Sequence, residues 1–381
     1  MRALLLAASL VLLGLPAPAE TVRVATYNVA LDRDEADQLL RELTTRPRVQ
    51  VSRLVAVLRH VRPDIVLLNE IDYDPEGAAV SAFVALLAAA DGSGEPLVYD
   101  HVFSAPVNTG VDSGLDLDGD GERGGPGDAW GWGHYPGQYG MAILSRFPFD
   151  REAVRTFQHF RWLDLPENLL PTDFYGEAAA VLRLSSKSHW DVPVQIGEHR
   201  LHLLASHPTP PVFDGPERRN QRRNADEVRF WELYLDGGWR GGPVDDQGRV
   251  GGLAPRNPFV ILGDLNLDPF DGDGRHEVMR SLLDHPRIQD PEPRSLGAVE
   301  AAARQGGANR NHVGDPALDT SNWRPFPGPG NLRVDYVLPA ASLRVVDAGV
   351  FWPADGEVGH DWVRDRRASD HHLVWVDLAL E

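Results

Sequence analysis

The chain has 381 residues, enough for a substantial core, and no cysteine, which excludes disulfides, thiolate metal sites and a cysteine nucleophile. Its formal net charge of −19 disfavours tight non-specific binding to long nucleic acid, because such binding relies on many Lys and Arg contacts to phosphate. Solubility alone would also explain the charge.

The first 19 residues have the pattern of a signal peptide. Arg2 supplies a positive start, an apolar run extends from Ala3 to Leu15, and small residues at 17–19 fit a cleavage site before Glu20. The run is too short to span a membrane comfortably, and no other segment is apolar enough to do so. We therefore expect a secreted or periplasmic protein, with an uncleaved N-terminal anchor as the alternative.

Apolar periodicity predicts strands and helices that are intermixed along residues 20–381. The predicted strands are Thr21–Ala30, Asp64–Leu68, Met141–Leu144, Ala178–Leu184, Arg200–Ser206, Pro258–Leu262, Arg333–Leu338 and Leu373–Leu378, and the predicted helices are Val51–Val61, Ala78–Ala90 and Pro216–Leu235. Several strands follow one another without room for a crossover helix, which favours a mixed-sheet α/β (α+β) fold over a doubly wound parallel sheet. Loop-like stretches near 104–140, 237–255 and 290–331 are interpreted as insertions around one domain, residues 20–381.

Polar side chains suited to chemistry stand at or near the ends of the predicted strands. They are Asn28, Glu70, His207, Asp264, Asn266, Asp335, Asp370 and His371. Asp264 and Asn266 are two positions apart, so an extended chain would point both side chains the same way. Each residue alone is more often a turn former or a packed side chain, and their joint occurrence is what indicates a site.

The short motifs around these residues carry a family resemblance. The specific motifs are Gly263-Asp264-Leu265-Asn266 and Ser369-Asp370-His371; Thr26-Tyr27-Asn28, Leu68-Asn69-Glu70, Ser206-His207, Val334-Asp335-Tyr336 and the segment Gly140–Arg146 support them. In this order they resemble the endonuclease/exonuclease/phosphatase superfamily, across residues 21–379. The resemblance implies a four-layer α/β/β/α sandwich, in which two mixed sheets pack face to face with helices outside.

The resemblance also implies phosphoester hydrolysis assisted by Mg²⁺ or Mn²⁺. Glu70 would be the main metal ligand, with Asn28 and Asp370 beside it, since carboxylate and amide oxygens suit these cations. Two departures from the family pattern weaken the case for a second metal. Ala30 stands where many members carry a second acid, and Asn69 stands where many carry Gln.

The remaining residues would handle the proton and the phosphoryl oxygens. His371 would act as the general base, oriented by Asp335. The adjacent His372 competes for this role, but side-chain alternation turns only one of the two toward the site, and the motif favours His371. Asp264 would position or help to deprotonate the attacking water. The donors to the non-bridging oxygens would be Asn266 and His207.

An acidic loop precedes the Gly140–Arg146 segment. Asp116, Asp118 and Asp120 alternate before Gly121, as at the start of a calcium-binding loop, but the twelfth position is Gly127 rather than Glu. A structural Ca²⁺ site and a solvated acidic loop are the alternatives.

Two further residues are candidate substrate contacts. Tyr139 ends an aromatic, glycine-rich segment that could form a pocket wall, and Arg219 belongs to a basic cluster that opens the helix after His207. Loop packing and a solvated helix face are the alternative interpretations.

These expectations converge on a secreted, metal-dependent hydrolase of small-molecule or lipid-like phosphoesters. An extracellular nuclease that scavenges phosphate is possible but disfavoured by the acidic charge. A non-catalytic, calcium-stabilised binding protein is the third alternative, and the complete set of polar residues counts against it. The sequence does not indicate an oligomeric state.

Overall fold

The computed structural model describes residues 20–92 and 94–380, so the predicted signal peptide, residues 1–19, lies outside the described residues. The strands are β1 Glu20–Leu31, β2 Ile65–Ile71, β3 His101–Phe103, β4 Met141–Ser145, β5 Arg155–Thr156, β6 His189–Ile196, β7 His199–Ser206, β8 Phe259–Asp264, β9 Ser321–Asn322, β10 Asn331–Leu332, β11 Asp335–Pro339, β12 Arg344–Val350 and β13 Val374–Leu380. The α-helices are α1 Gln38–Thr45, α2 Val49–Val61, α3 Ala78–Ala88, α4 Thr172–Tyr175, α5 Arg219–Leu235, α6 His276–Leu283, α7 Leu296–Gln305 and α8 His360–Val363.

The strands form two mixed sheets and a short ribbon. The first sheet has the order β12-β13-β1-β2-β4-β3, and the second has the order β11-β8-β7-β6-β5. β1 is parallel to β2 and β7 is parallel to β8, whereas the other neighbouring pairs in the two sheets are antiparallel. β9 and β10 pair with each other, and Ser321 of β9 also forms an isolated bridge with His371.

Side-chain alternation divides each strand between two cores. In β8, Val260 and Leu262 pack in a cluster shared by both sheets, whereas Phe259 and Ile261 pack in a cluster with α5 and α6. The opposite face of the first sheet packs against α1, α2 and α3 in a third cluster. The layers therefore run helices, sheet, sheet, helices, which confirms the predicted four-layer sandwich.

One predicted strand is wrong, and a strand was missed beside it. Residues 178–184 form a 3₁₀ turn and irregular chain, in which Leu182 and Leu184 are buried under the second sheet without pairing along it. The strand is β6 instead. Pro193 obscured it, since proline disfavours a strand. Pro193 lies opposite His202 of β7, and the N–H of His202 points away from β6 to the carbonyl of Pro258. In such a pair the backbone nitrogens of both residues face outward, so the N–H that proline lacks would face away from β7.

The three loop-like stretches differ in structure. Residues 290–331 include α7, β9 and β10, so the interpretation of that whole stretch as a loop is wrong. Residues 104–140 are held by a 3₁₀ turn and isolated bridges such as Thr109 with Gly131. Residues 237–255 are likewise held in place by isolated β-bridges. Within residues 20–92 and 94–380, no helix has both the length and the apolar character needed to cross a bilayer.

Candidate active site

At one end of the sandwich, the inward-facing rows of side chains change from apolar to polar. In β1, Val22 and Val24 belong to the core between the sheets, and Thr26 and Asn28 continue the same row. The corresponding polar residues on the neighbouring strands are Asn69, His207, Asp264 and Asp335. The alternation that builds the core therefore also aims these side chains into the gap between the sheets.

His371 and Asp335 form a buried pair across the two sheets. Nδ1 of His371 lies 2.8 Å from Oδ2 of Asp335, and the Thr320 hydroxyl donates to the same oxygen at 2.7 Å. Burial alone would lower the pKa of His371, but Asp335 and Asp264 raise this pKa well above its ordinary value. The carboxylate of Asp335 thus fixes Nδ1 as a donor and leaves Nε2 facing Asp264.

The two neighbouring histidines have different surroundings. The ring of His372 stacks on Trp352 with 3.7 Å between centroids, and neither of its ring nitrogens has a hydrogen-bond partner among the described residues. The ring of His371 instead meets Trp323 edge-on, with centroids 5.4 Å apart. Trp323 also donates to Oδ2 of Asp370 at 3.1 Å, so this residue, absent from the sequence prediction, supports both members of the motif.

Oδ2 of Asp264 is where the site residues converge. Asn28 donates to it at 3.0 Å, and Nε2 of His207 and of His371 lie 3.5 and 3.7 Å away. Burial alone would raise the pKa of Asp264, but the two histidines and the Asn28 amide outweigh it and hold this pKa below its usual range. The other carboxylate oxygen accepts the backbone N–H of Asn266 at 2.9 Å.

Glu70 lies on the opposite side of this point. Its Oε1 is 3.8 Å from Nε2 of His207, and donor atoms of Glu70, His207 and Asp264 all lie within 4.8 Å of one another. Burial and the nearby Asp32 raise the pKa of Glu70 to about 7. The two carboxylates suit a divalent cation, which would offset the cost of ionising Glu70 here. These residues therefore fit the metal that the sequence predicts.

The other predicted metal ligands already have protein partners. Asn28 donates to Asp264 and accepts the Ala30 N–H at 3.1 Å through Oδ1, and Asp370 accepts from Trp323. Asn28 and Asp370 face the same cluster, since both influence the pKa of Glu70. Their role as ligands stays a prediction.

His207 is suited to donate a hydrogen bond. Burial, helped by Lys187, lowers its pKa to about 4, so the imidazole is neutral at neutral pH. Its Nδ1 has no partner among the described residues, while Nε2 faces the carboxylates of Asp264 and Glu70. A neutral ring that carries its proton on Nε2 satisfies both observations.

The strand ends at the site are sharply bent. Glu70 and Asn266 have φ values of 57° and 51°, which are uncommon for residues other than glycine. Gly263 has φ 147°, and a Cβ there would lie 2.0 Å from the carbonyl oxygen of Ser206. The bend after β8 turns the Asn266 amide toward the carbonyl of Pro208, to which it donates at 3.1 Å. Its role as a donor to phosphate stays a prediction.

Asn69 is a positioning residue that the sequence reasoning recorded only as a departure from the family pattern. Its Oδ1 accepts the backbone N–H of Asp264 at 3.2 Å and the Thr26 hydroxyl at 3.3 Å. Its place in an inward row, one residue before Glu70, was the signal available in the sequence.

A cavity of about 660 Å³ opens directly beside Glu70. Its lining is largely apolar and aromatic and includes Leu117, Trp130, Trp132, Tyr139, Tyr175, Leu182, Pro210 and Phe213. A depression of about 750 Å³ near Trp239 is slightly larger, but it contains none of the predicted site residues. The cavity beside Glu70 is therefore the candidate substrate pocket.

Both predicted substrate contacts line this cavity. Tyr139 has φ 56° and meets Trp132 with ring centroids 6.1 Å apart. Arg219 donates to the carbonyl of Leu117 at 3.1 Å and lies over the ring of Phe174, so its guanidinium is partly engaged. Sequence reasoning did not select Lys187, which also lines the cavity, although it is the only lysine in the sequence.

The predicted calcium loop stands apart from the cluster around Glu70. Carboxylate oxygens of Asp116, Asp118 and Asp120 lie within 4.8 Å of one another, but their lone pairs also accept backbone N–H groups of the same loop. A structural Ca²⁺ ion at this loop stays a prediction.

Comparison with known proteins agrees with this geometry. Residues 25–371 match the Endonuclease/Exonuclease/phosphatase family. An endonuclease/exonuclease/phosphatase from Beutenbergia cavernae is similar in structure, with a TM-score of 0.54, 22% identity and coverage of 94% of this chain and 72% of that one. A family protein from Leptotrichia buccalis has a TM-score of 0.50 at 12% identity, with coverage of 94% and 100%. No curated protein matches the sequence.

The family match covers nearly all of the described chain, and its members hydrolyse phosphoesters with divalent metals. The matched segment contains the cluster of Glu70, His207 and Asp264, the His371–Asp335 pair and the cavity beside them. The chain therefore belongs to the endonuclease/exonuclease/phosphatase family and is a phosphoester hydrolase.

Proposed function

We propose that the protein is an exported, Mg²⁺- or Mn²⁺-dependent hydrolase of small-molecule or lipid-like phosphoesters. The observation that carries the proposal is the cavity of about 660 Å³ beside Glu70, whose aromatic and apolar walls suit a compact organic substituent. The net charge of −19 supports a small ester over a long polyanion. The signal-peptide pattern of residues 1–19 supports export to the periplasm or beyond.

The site residues can divide the reaction among themselves. Water attacks phosphorus in line with the ester oxygen and gives its proton to Nε2 of His371, which lies 3.7 Å from Asp264. Asp335 holds the ring in place and stabilises the imidazolium that forms. As the bond from phosphorus to the ester oxygen breaks, the leaving oxygen takes up a proton from solvent, and the His371 imidazolium later returns its proton to solvent. The neutral His207 donates to a non-bridging oxygen whose negative charge increases.

The metal contributes to this scheme through the acidic cluster. Glu70 and Asp264 would hold it, with His207 beside them as a hydrogen-bond donor, and when bound it would supply Lewis-acid stabilisation of the phosphoryl oxygens. A positive charge among these carboxylates would also weaken their hold on the proton of His371. The basicity of His371 at neutral pH thus depends on the loaded site.

A substrate panel tests the proposal. Purified protein with Mg²⁺ or Mn²⁺ is assayed on p-nitrophenyl phosphate, bis-p-nitrophenyl phosphate, short-chain phospholipids and plasmid DNA. We expect turnover of small or lipid-like esters and loss of activity in EDTA. Cleavage of DNA alone would favour the phosphate-scavenging nuclease, and activity on no member of the panel would refute the proposal.

A further inference from the structure

Lys187 is exceptional in both sequence and structure. It is the only lysine in a chain whose other basic side chains are all arginine. It lies two positions before the first residue of β6. Its backbone carbonyl accepts the N–H of Asn108 at 2.9 Å, and the residue is 6% exposed. Its side chain lines the cavity beside Glu70.

The ammonium group of Lys187 has no partner in the part of the chain that the structure describes. Among residues 20–92 and 94–380, no hydrogen bond and no ion pair within 4.0 Å involves its Nζ. A buried cation is costly unless it is paired or hydrogen-bonded. The group that offsets this cost is therefore expected in the cavity that Lys187 lines.

The nearby acid Glu227 does not fill this role. Its Oε1 accepts from the backbone N–H and the hydroxyl of Ser186 at 2.6 and 3.0 Å, and its Oε2 accepts the N–H of Thr209 at 2.7 Å. Burial lowers the pKa of Lys187, and Glu227, Glu70 and Asp264 oppose this change by attracting its charge from a distance. They favour the ammonium form but leave its three N–H donors available.

The two arginines in the cavity wall both donate to backbone carbonyls, Arg223 extensively and Arg219 in part. Arg223 donates to the carbonyls of Leu184 at 2.8 Å and Trp130 at 2.6 Å, and it reaches two further carbonyls of the same segment. Arg219 donates to Leu117, as described above. Among the described residues, Lys187 is thus the cation of this wall with no donor committed to a protein group.

From this juxtaposition we propose that Lys187 is a substrate-binding residue whose ammonium group donates to a non-bridging oxygen of the phosphoryl group being cleaved. The inference rests on the proposed phosphoesterase function, and it identifies the phosphate end of the substrate with the Glu70 and Lys187 side of the cavity. The aromatic walls are left for the organic substituent. A compact ammonium suits this place, because a forked guanidinium needs more room and more acceptors.

The single lysine allows a direct binding test. Lys187 and the N-terminal amine are the only primary amines that a small amine-directed reagent such as acetic anhydride can modify, and mass spectrometry of peptides separates the two. We expect millimolar inorganic phosphate to slow acetylation of Lys187 in the Mg²⁺-loaded protein by about tenfold or more, and to leave the N-terminal amine unaffected. Equal rates with and without phosphate would overturn the inference, whether or not a good substrate has been found.

Kinetics supply the second test. Lys187→Met keeps the length of the side chain and removes its charge, so KM and the inhibition constant of inorganic phosphate should both rise by about tenfold or more. Arg256→Ala removes an exposed cation near the opposite end of β8 and should change neither constant. If Lys187→Met hydrolyses esters with wild-type KM and phosphate inhibition, Lys187 is structural. If the wild-type protein hydrolyses no ester, the proposed function fails while the acetylation test still decides the role of Lys187.

Discussion

Oδ1 of Asn69 lies 3.2 Å from the backbone nitrogen of Asp264, so a side chain of the first sheet holds the strand end of the second. Asn69→Ala leaves this buried N–H without its acceptor, which should cost about 1–3 kcal/mol of the free energy of unfolding. Because Asp264 then loses a positional restraint, kcat should fall more than KM rises. Asn257→Ala, which removes a hydrogen bond to His202 away from the site, is the matched control. Equal kcat in the two variants would contradict a positioning role for Asn69.

The adjacent histidines offer a paired test of the proposed base. His371→Ala should lower kcat by about a hundredfold or more, since it removes a positioned proton acceptor. His372→Leu removes a ring that stacks on Trp352 without hydrogen bonds, so activity per folded molecule should stay near wild type. Initial rates, with circular dichroism to check folding, decide the outcome. A variant with Ala at 371 that keeps most of its activity would exclude His371 as the base.

Removal of the Glu70 carboxylate should weaken metal binding. Glu70→Gln keeps the size of the side chain but removes a charge from the cluster with His207 and Asp264, so the Mn²⁺ concentration that gives half-maximal activity should rise by about tenfold or more. Isothermal titration of Mn²⁺ into EDTA-treated protein measures the same loss without turnover. Glu76→Gln, an exposed acid after β2, should bind the metal as wild type does. If the titration curves of Glu70→Gln match those of wild type, the metal binds elsewhere.

Gly263 should tolerate no side chain. Gly263→Ala would bring Cβ within 2.0 Å of the Ser206 carbonyl oxygen at a φ of 147°, so one of the two strand ends must move. Gly197 also has a positive φ, 55°, but a Cβ there meets nothing within 4 Å, so Gly197→Ala should cost only about 1 kcal/mol of unfolding free energy. Urea denaturation of both variants compares the costs. Similar losses of unfolding free energy in Gly263→Ala and Gly197→Ala would show that the ends of β7 and β8 can move apart at this point.

Asp319 should make stability depend on pH. Burial, with the neighbouring Asp268, Asp271 and Asp315, raises its pKa to about 8. Since the unfolded value is about 4, its contribution to stability is fully present below pH 4 and is lost as the pH rises through the folded pKa. Asp319→Asn mimics the protonated acid. Between pH 5 and pH 9, its free energy of unfolding should increase relative to that of wild type by about 2 kcal/mol.

Urea denaturation in EDTA across this pH range checks the prediction for Asp319. EDTA removes any cation that could neutralise the neighbouring carboxylates. A difference between wild type and Asp319→Asn that stays constant with pH would mean that Asp319 is ionised throughout.

Strand-end motifs in the sequence indicated the cluster around Asp264 and carried the family resemblance that implied the sandwich. The apolar rows and the polar residues that end them have a local period of two, which can be read directly along the chain. Pro193 concealed β6, because whether a proline fits depends on which side of the strand its missing N–H faces. The pairing with His202 decides this, and pairing is not a local property.

The cavity wall could not be predicted in the same way. Arg219 and Arg223 are neighbours in sequence and look equally available, yet the structure commits Arg223 to backbone carbonyls from two distant segments. Lys187 stands between serines in an unremarkable stretch of sequence. Only the fold shows that its ammonium group lies beside the cavity without a partner among the described residues.

The site is divided between the two sheets. Asn28 and Glu70 belong to the first, Asp264 and Asp335 belong to the second, and the bonds from Asn28 to Asp264 and from His371 to Asp335 cross between them. Each sheet could in principle acquire its own hydrogen bonds before the two dock, but neither would then hold a working set of groups. We therefore expect hydrolysis to appear late in refolding, when the two sheets dock. The onset of turnover would then report the time at which the sandwich forms.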